Sequence, residues 1–207
     1  MVWDIVFIIF SFLLGSIPFG KIIASLKGID ITKEGSGNIG ATNVFRVVGK
    51  VWGVVVLILD ALKGALPVAI SIWVYKNNLL SFYLPEIYVF VGIASILGHI
   101  FSPFVGFRGG KGVATSLGVF VVITPIGTLV GVVVFGISIL IFRIVSISSI
   151  VAVISVFSYL LVSSVIQNTL SQNYVLIATS FVVMMLIIVR HSSNIKRLIK
   201  GEEKKII

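Results

Sequence analysis

Two glycine-rich polar segments, GSGNIGATNVFR over residues 35–46 and GFRGGKG over 106–112, hold most of the side chains in this 207-residue chain that could do chemistry. Glycine beside Arg or Lys bares backbone N–H groups next to fixed positive charge, which holds a phosphate without a deep cage. In the first segment Gly35, Gly37 and Gly40 permit a tight backbone path, Ser36, Asn38, Thr42 and Asn43 add short neutral hydrogen-bonding groups, and Arg46 supplies a planar cationic fork. A flexible Gly/Ser turn accounts for the glycines but not for two asparagines and an arginine. In the second segment Gly109, Gly110 and Gly112 flank Lys111 at the start of an apolar run, which offers loop amides, a helix N-terminus and an ammonium to an anion. The segment is not a nucleotide-binding P-loop, because Val105 stands where the first glycine belongs and Gly112 follows the lysine in place of Ser or Thr.

Four further polar residues stand out. Asp60 and Lys63 lie three apart inside an apolar run, hence on one helical face, where charges at membrane depth are costly unless paired. They are expected to pair and support the site from below, with Gly64 allowing a close helix approach. His99 precedes the second glycine segment and His191 follows the last apolar run, close to Arg190 and Asn194. Neither histidine fits the HxxxxD pattern of the common glycerolipid acyltransferases, since Phe104 and Lys196 fill the acidic position. With no cysteine and only two histidines, the sequence excludes disulfides, thiolate catalysis and a Cys/His zinc site, so no metal is expected.

The elements that must position these residues are membrane spans. A chain 58% hydrophobic, 11% charged and with mean hydropathy +1.20 is too apolar for a water-soluble fold. The net charge of +9 sits in short loops beside apolar runs, the pattern that orients spans, so no nucleic-acid partner is expected. The first apolar run lacks a preceding basic region and carries Asp4, which reads as a permanent span, not a signal peptide. Runs of roughly 20 residues place spans at 4–25, 52–75, 86–103, 146–167 and 174–190. The stretch 113–142, interrupted by Thr124, Pro125 and Gly127, reads as one long helix or two short ones. Charge parity decides: Lys27, Lys33, Arg46 and Lys50 in one loop and Lys196, Arg197, Lys200, Lys204 and Lys205 in the tail share the cytoplasmic side only if 113–142 crosses twice.

The expected fold is therefore all-α: a polytopic membrane protein of seven transmembrane helices, N-terminus outside and C-terminus cytoplasmic, forming a single domain over 1–207. Lys76 is then the one basic residue of sixteen on the outer face. The same parity puts loop 35–46, loop 99–112, the RIVSISS segment at 143–149 and RHSSN at 190–194 on one face. A phosphate transporter is the alternative, but its site belongs near mid-bilayer, whereas these groups gather at one side.

The motifs SIPFG (16–20), GIDITKEGSGNIGATNVFRVVG (28–49), DALKG (60–64), GHIFSPFVGFRGGKGVAT (98–115) and RHSSNIKRLIKGEEKK (190–205) run in order along nearly the whole chain. They closely resemble the bacterial acyl-phosphate:glycerol-3-phosphate acyltransferase family. The resemblance implies transfer of a fatty acyl group from acyl phosphate to the sn-1 hydroxyl of glycerol 3-phosphate, giving lysophosphatidic acid and inorganic phosphate. It also implies a seven-helix fold in a bacterial plasma membrane, membrane lipid as surroundings, no cofactor and no obligate protein partner.

Carried over by position, the resemblance makes Ser36 and its flanking glycines phosphate contacts, with Asn38 and Asn43 shaping their loop. Arg46 and Lys111 bind substrate phosphate, His99 orients or polarises reacting groups, and His191 with Asn194 forms the acceptor-binding pair. Ser148 lines the site, although Ser146 or Ser149 aligns nearly as well. One departure is Thr32, two positions after Asp30, where the family carries arginine; Lys33 follows. The chemistry asks little beyond alignment, because an acyl phosphate is already activated and the enzyme must orient a hydroxyl, stabilise an oxyanion and release phosphate. Ser36 has no base partner in sequence and is read as a hydrogen-bond donor, without an acyl-enzyme. The hydroxyl proton goes to His99 or to a substrate phosphate oxygen.

Overall fold

In hydrocarbon every backbone N–H and C=O must find a partner inside the chain, so a polypeptide this apolar resolves into helices. A computed structural model describes residues 1–206, and every regular element among them is helical. Burial is inverted relative to a water-soluble protein: Leu140 is 80% and Ile126 64% exposed, while Asp60, Lys63 and His99 are 2%, 3% and 5% exposed. That is the surface expected where lipid is the solvent. Two compact units make up the chain, Met1–Ile123 and the residues from Thr124 onward.

The first unit contains α1 (Val2–Ser16), α2 (Phe19–Leu26), α3 (Ala41–Val47), α4 (Lys50–Lys76), α5 (Ile87–Ile100), a 3-10 turn (Pro103–Val105) and α6 (Val113–Ile123). The run expected as one span at 4–25 is one stretch long enough to cross, Val2–Leu26, but its helix is interrupted at Pro18. Pro18 lacks an N–H and forces the preceding residue out of helical geometry, so Ile17 takes φ −59°, ψ 118° and the chain restarts as α2. The break leaves the Ile17 carbonyl outside any helical ladder; it accepts the Phe19 amide at 3.1 Å and the Lys63 Nζ at 2.7 Å.

Small residues let the helices touch. Gly98 of α5 lies against the Phe12 carbonyl and Ser16 of α1, and Ser11 Oγ donates to the Val91 carbonyl at 2.7 Å. Gly64 of α4 lies against the Thr115 backbone of α6, where a Cβ would overlap the carbonyl. Asp4 ties α1 to the segment before α5, since its buried carboxylate accepts the amides of Tyr83 and Leu84 at 3.1 and 2.9 Å and pairs with the Met1 ammonium at 3.0 Å.

The second unit contains α7 (Pro125–Phe142), α8 (Val145–Ile166), α9 (Tyr174–Arg190) and α10 (Ser192–Ile199). The stretch 113–142 divides at Thr124, with Pro125 opening α7 where its missing N–H is harmless. The preceding α6 has 11 residues, about 16 Å of rise, roughly half the hydrocarbon thickness. Among the described residues, five helical stretches are long and apolar enough to cross a membrane, and six if α9 and α10, bent by 53° at His191, count as one.

Candidate active site

Within the first unit, the loop between α2 and α3 is organised by Asn43. Its Oδ1 accepts the Ser36 amide at 2.9 Å, and its Nδ2 donates to the Glu34 carbonyl at 3.0 Å and the Ile31 carbonyl at 3.4 Å. Asn43 is buried, so both ends of one amide replace water for three backbone groups. Gly35 and Gly37 follow at φ 63° and 67°, the left-handed region that glycine enters without cost. Asn38 turns the chain ahead of α3, its Oδ1 accepting the Gly40 amide at 2.9 Å. The two asparagines therefore fold the loop, and the exposed Ser36 and Arg46 with the half-buried Thr42 remain at its surface. At the position of the missing arginine, the Thr32 hydroxyl donates to Asp30 at 2.6 Å and Lys33 lies 3.5 Å from the same carboxylate. Those Thr32 hydrogen bonds, with the Lys33 charge, hold the Asp30 carboxyl below its usual pKa.

The second glycine segment folds back on the C-terminal end of α5. Gly109 donates its amide to the Ile100 carbonyl and Gly110 to the His99 carbonyl, each at 3.1 Å, which satisfies carbonyls that the helix end leaves open. These two amides, expected to face an anion, thus serve loop closure. A Cβ on Gly110 would overlap the His99 ring, nearest to Nε2, so glycine there makes room for the imidazole. The Ser102 hydroxyl ties the loop to the Ser16 carbonyl at the end of α1. Val105 packs against the apolar cluster of Ile23, Ala24, Ile31, Ile39, Val44 and Val56, which also seats the Asn43 loop. The two glycine segments are therefore joined by one patch of core.

Beneath them is a buried polar group. Lys63 Nζ lies 2.8 Å from Asp60 Oδ1, and His99 Nδ1 faces the same oxygen from α5 at 3.7 Å. Lys63 Nζ also lies over the Phe19 ring at 5.6 Å, and the Ser95 hydroxyl donates to the Lys63 carbonyl at 2.8 Å. The first unit thus assembles His99, the Gly109–Lys111 loop and the Asp60–Lys63 pair around the end of α5. The link from Asp60 to His99 escaped the sequence reading, because 39 positions separate them and only helix packing brings them together.

Within the second unit, one residue unnoticed in the sequence gathers several that were noticed. Glu203, in a tail read for its basic residues, accepts from Ser146 Oγ at 2.9 Å, from the Asn194 amide and from Arg197 Nε at 2.7 Å. Burial alone raises this carboxyl, but the hydrogen bonds from Asn194, Arg197 and Ser146 outweigh it and bring the pKa below the usual glutamate value. Three residues later the Ile206 amide donates to the Arg143 carbonyl at 2.8 Å, which pins the tail to the α7–α8 turn. His191 is buried at the α9–α10 bend, and its Nδ1 donates to the Ile187 carbonyl at 2.7 Å, since a carbonyl can only accept. The three candidate serines differ: Ser148 and Ser149 donate back to Ile144 and Val145 in their own helix, at 3.1 and 2.9 Å, and Ser146 turns to Glu203. A glutamate next to Glu202 in a short charged tail carries no periodic signal, which is why Glu203 was missed.

Among the described residues no group of three or more His, Cys, Asp or Glu side chains is arranged to hold a metal ion.

Comparison with known proteins gives these features a lineage. The protein is similar to a glycerol-3-phosphate acyltransferase of Aquifex aeolicus, 44% identical over 198 residues and 96% of each chain. It is also similar to glycerol-3-phosphate acyltransferase 2 of Bacillus anthracis, 42% identical over 99% of this chain and 100% of the other. Two crystal structures of PlsY, an integral membrane glycerol 3-phosphate acyltransferase, superpose on it at 42% identity. The glycerol 3-phosphate form gives a TM-score of 0.86 over 99% of this chain and 96% of that one, and the lysophosphatidic acid form 0.84 over 98% and 94%. Since the family model described as glycerol-3-phosphate acyltransferase also matches residues 5–201, an integral membrane protein with this helical fold and these motifs belongs to the glycerol-3-phosphate acyltransferase family.

Proposed function

We propose that the protein transfers a fatty acyl group from acyl phosphate to the sn-1 hydroxyl of glycerol 3-phosphate, releasing lysophosphatidic acid and inorganic phosphate. The observation that carries this reading is the glycine loop ending in Lys111, folded onto the end of α5 against a buried imidazole in a chain of this family. Glycerol 3-phosphate as acceptor and lysophosphatidic acid as product are supported by the two forms in which PlsY was crystallised.

The donor is an anhydride, so the work falls to positioning and charge. Arg46 and Lys111 bind phosphate, Ser36 donates a hydrogen bond from its exposed hydroxyl, and Asn38, Thr42, Asn43 and the surrounding glycines shape the surface on which the phosphates lie. His99 orients the reacting groups, with the acceptor proton passing to it or to a substrate phosphate oxygen. His191 and Asn194 contact the acceptor, and Ser148 is a further substrate-binding residue. No acyl-enzyme forms. The whole chain acts as one membrane-embedded domain with seven crossings, α6 included, N-terminus outside and the site on the cytoplasmic side of a bacterial plasma membrane. Charge parity along the sequence supports that orientation, and a lipid-soluble donor with a water-soluble acceptor suits an interfacial site.

Purified protein given palmitoyl phosphate and glycerol 3-phosphate is expected to release phosphate with formation of lysophosphatidic acid. Lys111→Ala and Arg46→Ala are each expected to abolish release while the protein still elutes as a folded species. Near-normal turnover in either variant removes that residue from the site, and an acyl group trapped on wild-type Ser36 overturns direct transfer.

A further inference from the structure

Asp60 Oδ1 faces two cationic or potentially protonated nitrogens at once, Lys63 Nζ at 2.8 Å within α4 and His99 Nδ1 at 3.7 Å from α5. All three side chains are at least nine-tenths buried. If the pair served helix packing alone, Lys63 would be a sufficient partner, and its second bond to the Ile17 carbonyl would complete the arrangement. The imidazole is unnecessary to that account, yet it presents Nδ1 to the shared oxygen and Nε2 to the bare Cα of Gly110. A carboxylate this close in a low-dielectric surround favours the tautomer whose N–H points at it. The 3.7 Å separation is longer than a hydrogen bond, so the carboxylate acts on the ring through its charge.

We propose that Asp60 is a positioning residue for the transfer reaction, holding His99 in the Nδ1-protonated tautomer so that the Nε2 lone pair is directed to the Gly109–Lys111 loop. This rests on the function proposed above. The Nε2 lone pair then accepts a hydrogen bond from a donor seated at that loop, such as the acceptor hydroxyl. Lys63 holds Asp60 in place and is itself fixed by the broken helix at Ile17, so the orientation of one imidazole is set by a backbone carbonyl two helices away.

The chain's two histidines make the tautomer directly readable by 15N NMR of histidine-labelled protein in detergent, with His191→Gln assigning the signals. Wild type is expected to show His99 protonated at Nδ1. Asp60→Asn leaves the Lys63 ammonium without its counter-ion and is a poor folder, so the decisive variant is Asp60→Leu/Lys63→Met, which removes both charges together and keeps the volume. The double variant is expected to fold, to show mixed His99 tautomers, and to lose about tenfold or more in kcat with KM for glycerol 3-phosphate unchanged within about twofold. A folded double variant with the wild-type tautomer, or with wild-type kcat, overturns the proposal and leaves the pair purely structural. Failure of wild type to release phosphate would sink the proposed function instead, and the tautomer comparison would still decide the role of Asp60.

Discussion

Asp60 in α4 and Glu203 in the C-terminal tail are both carboxylates with almost no exposure, and their surroundings could hardly differ more. Asp60 is met by a cation one helical turn away and by an imidazole across a helix contact. Glu203 is met by a serine, an asparagine amide and an arginine drawn from α8 and α10, the arginine being 36% exposed. In lipid, water cannot stand in for a missing partner, so the first carboxylate requires a full counter-charge. At the chain's end, neutral hydrogen bonds and a partly hydrated cation suffice, because water reaches the Arg197 end of the group. The deep pair is thus a fixed foundation, and the tail clamp is a latch of moderate strength.

The largest break in that contrast comes from Lys63→Met, which leaves Asp60 without its nearest cation. It should destabilise the protein by about 3–5 kcal/mol, read as a lower melting temperature in detergent, and an unchanged melting point would show that the pair contributes nothing to stability. Glu203→Gln should cost less, about 1–3 kcal/mol, because the amide keeps one acceptor while presenting an N–H to the donors of Asn194 or Arg197. The same residue sets a pH signature. Its folded pKa lies below the unfolded value, so its contribution is complete above the ordinary glutamate range and disappears as pH falls through the folded value. Wild type should therefore lose melting temperature on acidification more steeply than Glu203→Gln, and parallel curves would assign the acid sensitivity elsewhere. Smallest of all is Lys33→Ala: its pair with Asp30 is exposed and screened, and no shift in melting temperature is expected.

The legible parts of the molecule were those with a local cause. Thr124 and Pro125 announce the division between α6 and α7, and the three-residue spacing of Asp60 and Lys63 announces a shared helical face. Asn43 and the left-handed Gly35 and Gly37 belong to a loop whose composition already pointed to a tight anion-suited turn. Partnerships set by packing were illegible. Nothing near Pro18 in the chain says that the carbonyl before it will meet Lys63, and nothing near Glu203 says that Ser146, 57 positions earlier, will donate to it. The glycine loop was half legible: its bend and its lysine follow from composition, but the capture of two amides by the end of α5 depends on where that helix stops.

The break at Pro18 carries one more consequence, for what mutation can and cannot reach. Lys63 is anchored to an oxygen of the peptide chain itself, which no change of the Ile17 side chain can delete. Of the two ends of that bond, heredity can edit only one directly. Variation at residue 17 is free to explore size and shape, whereas residue 18 and residue 63 carry the constraint between them.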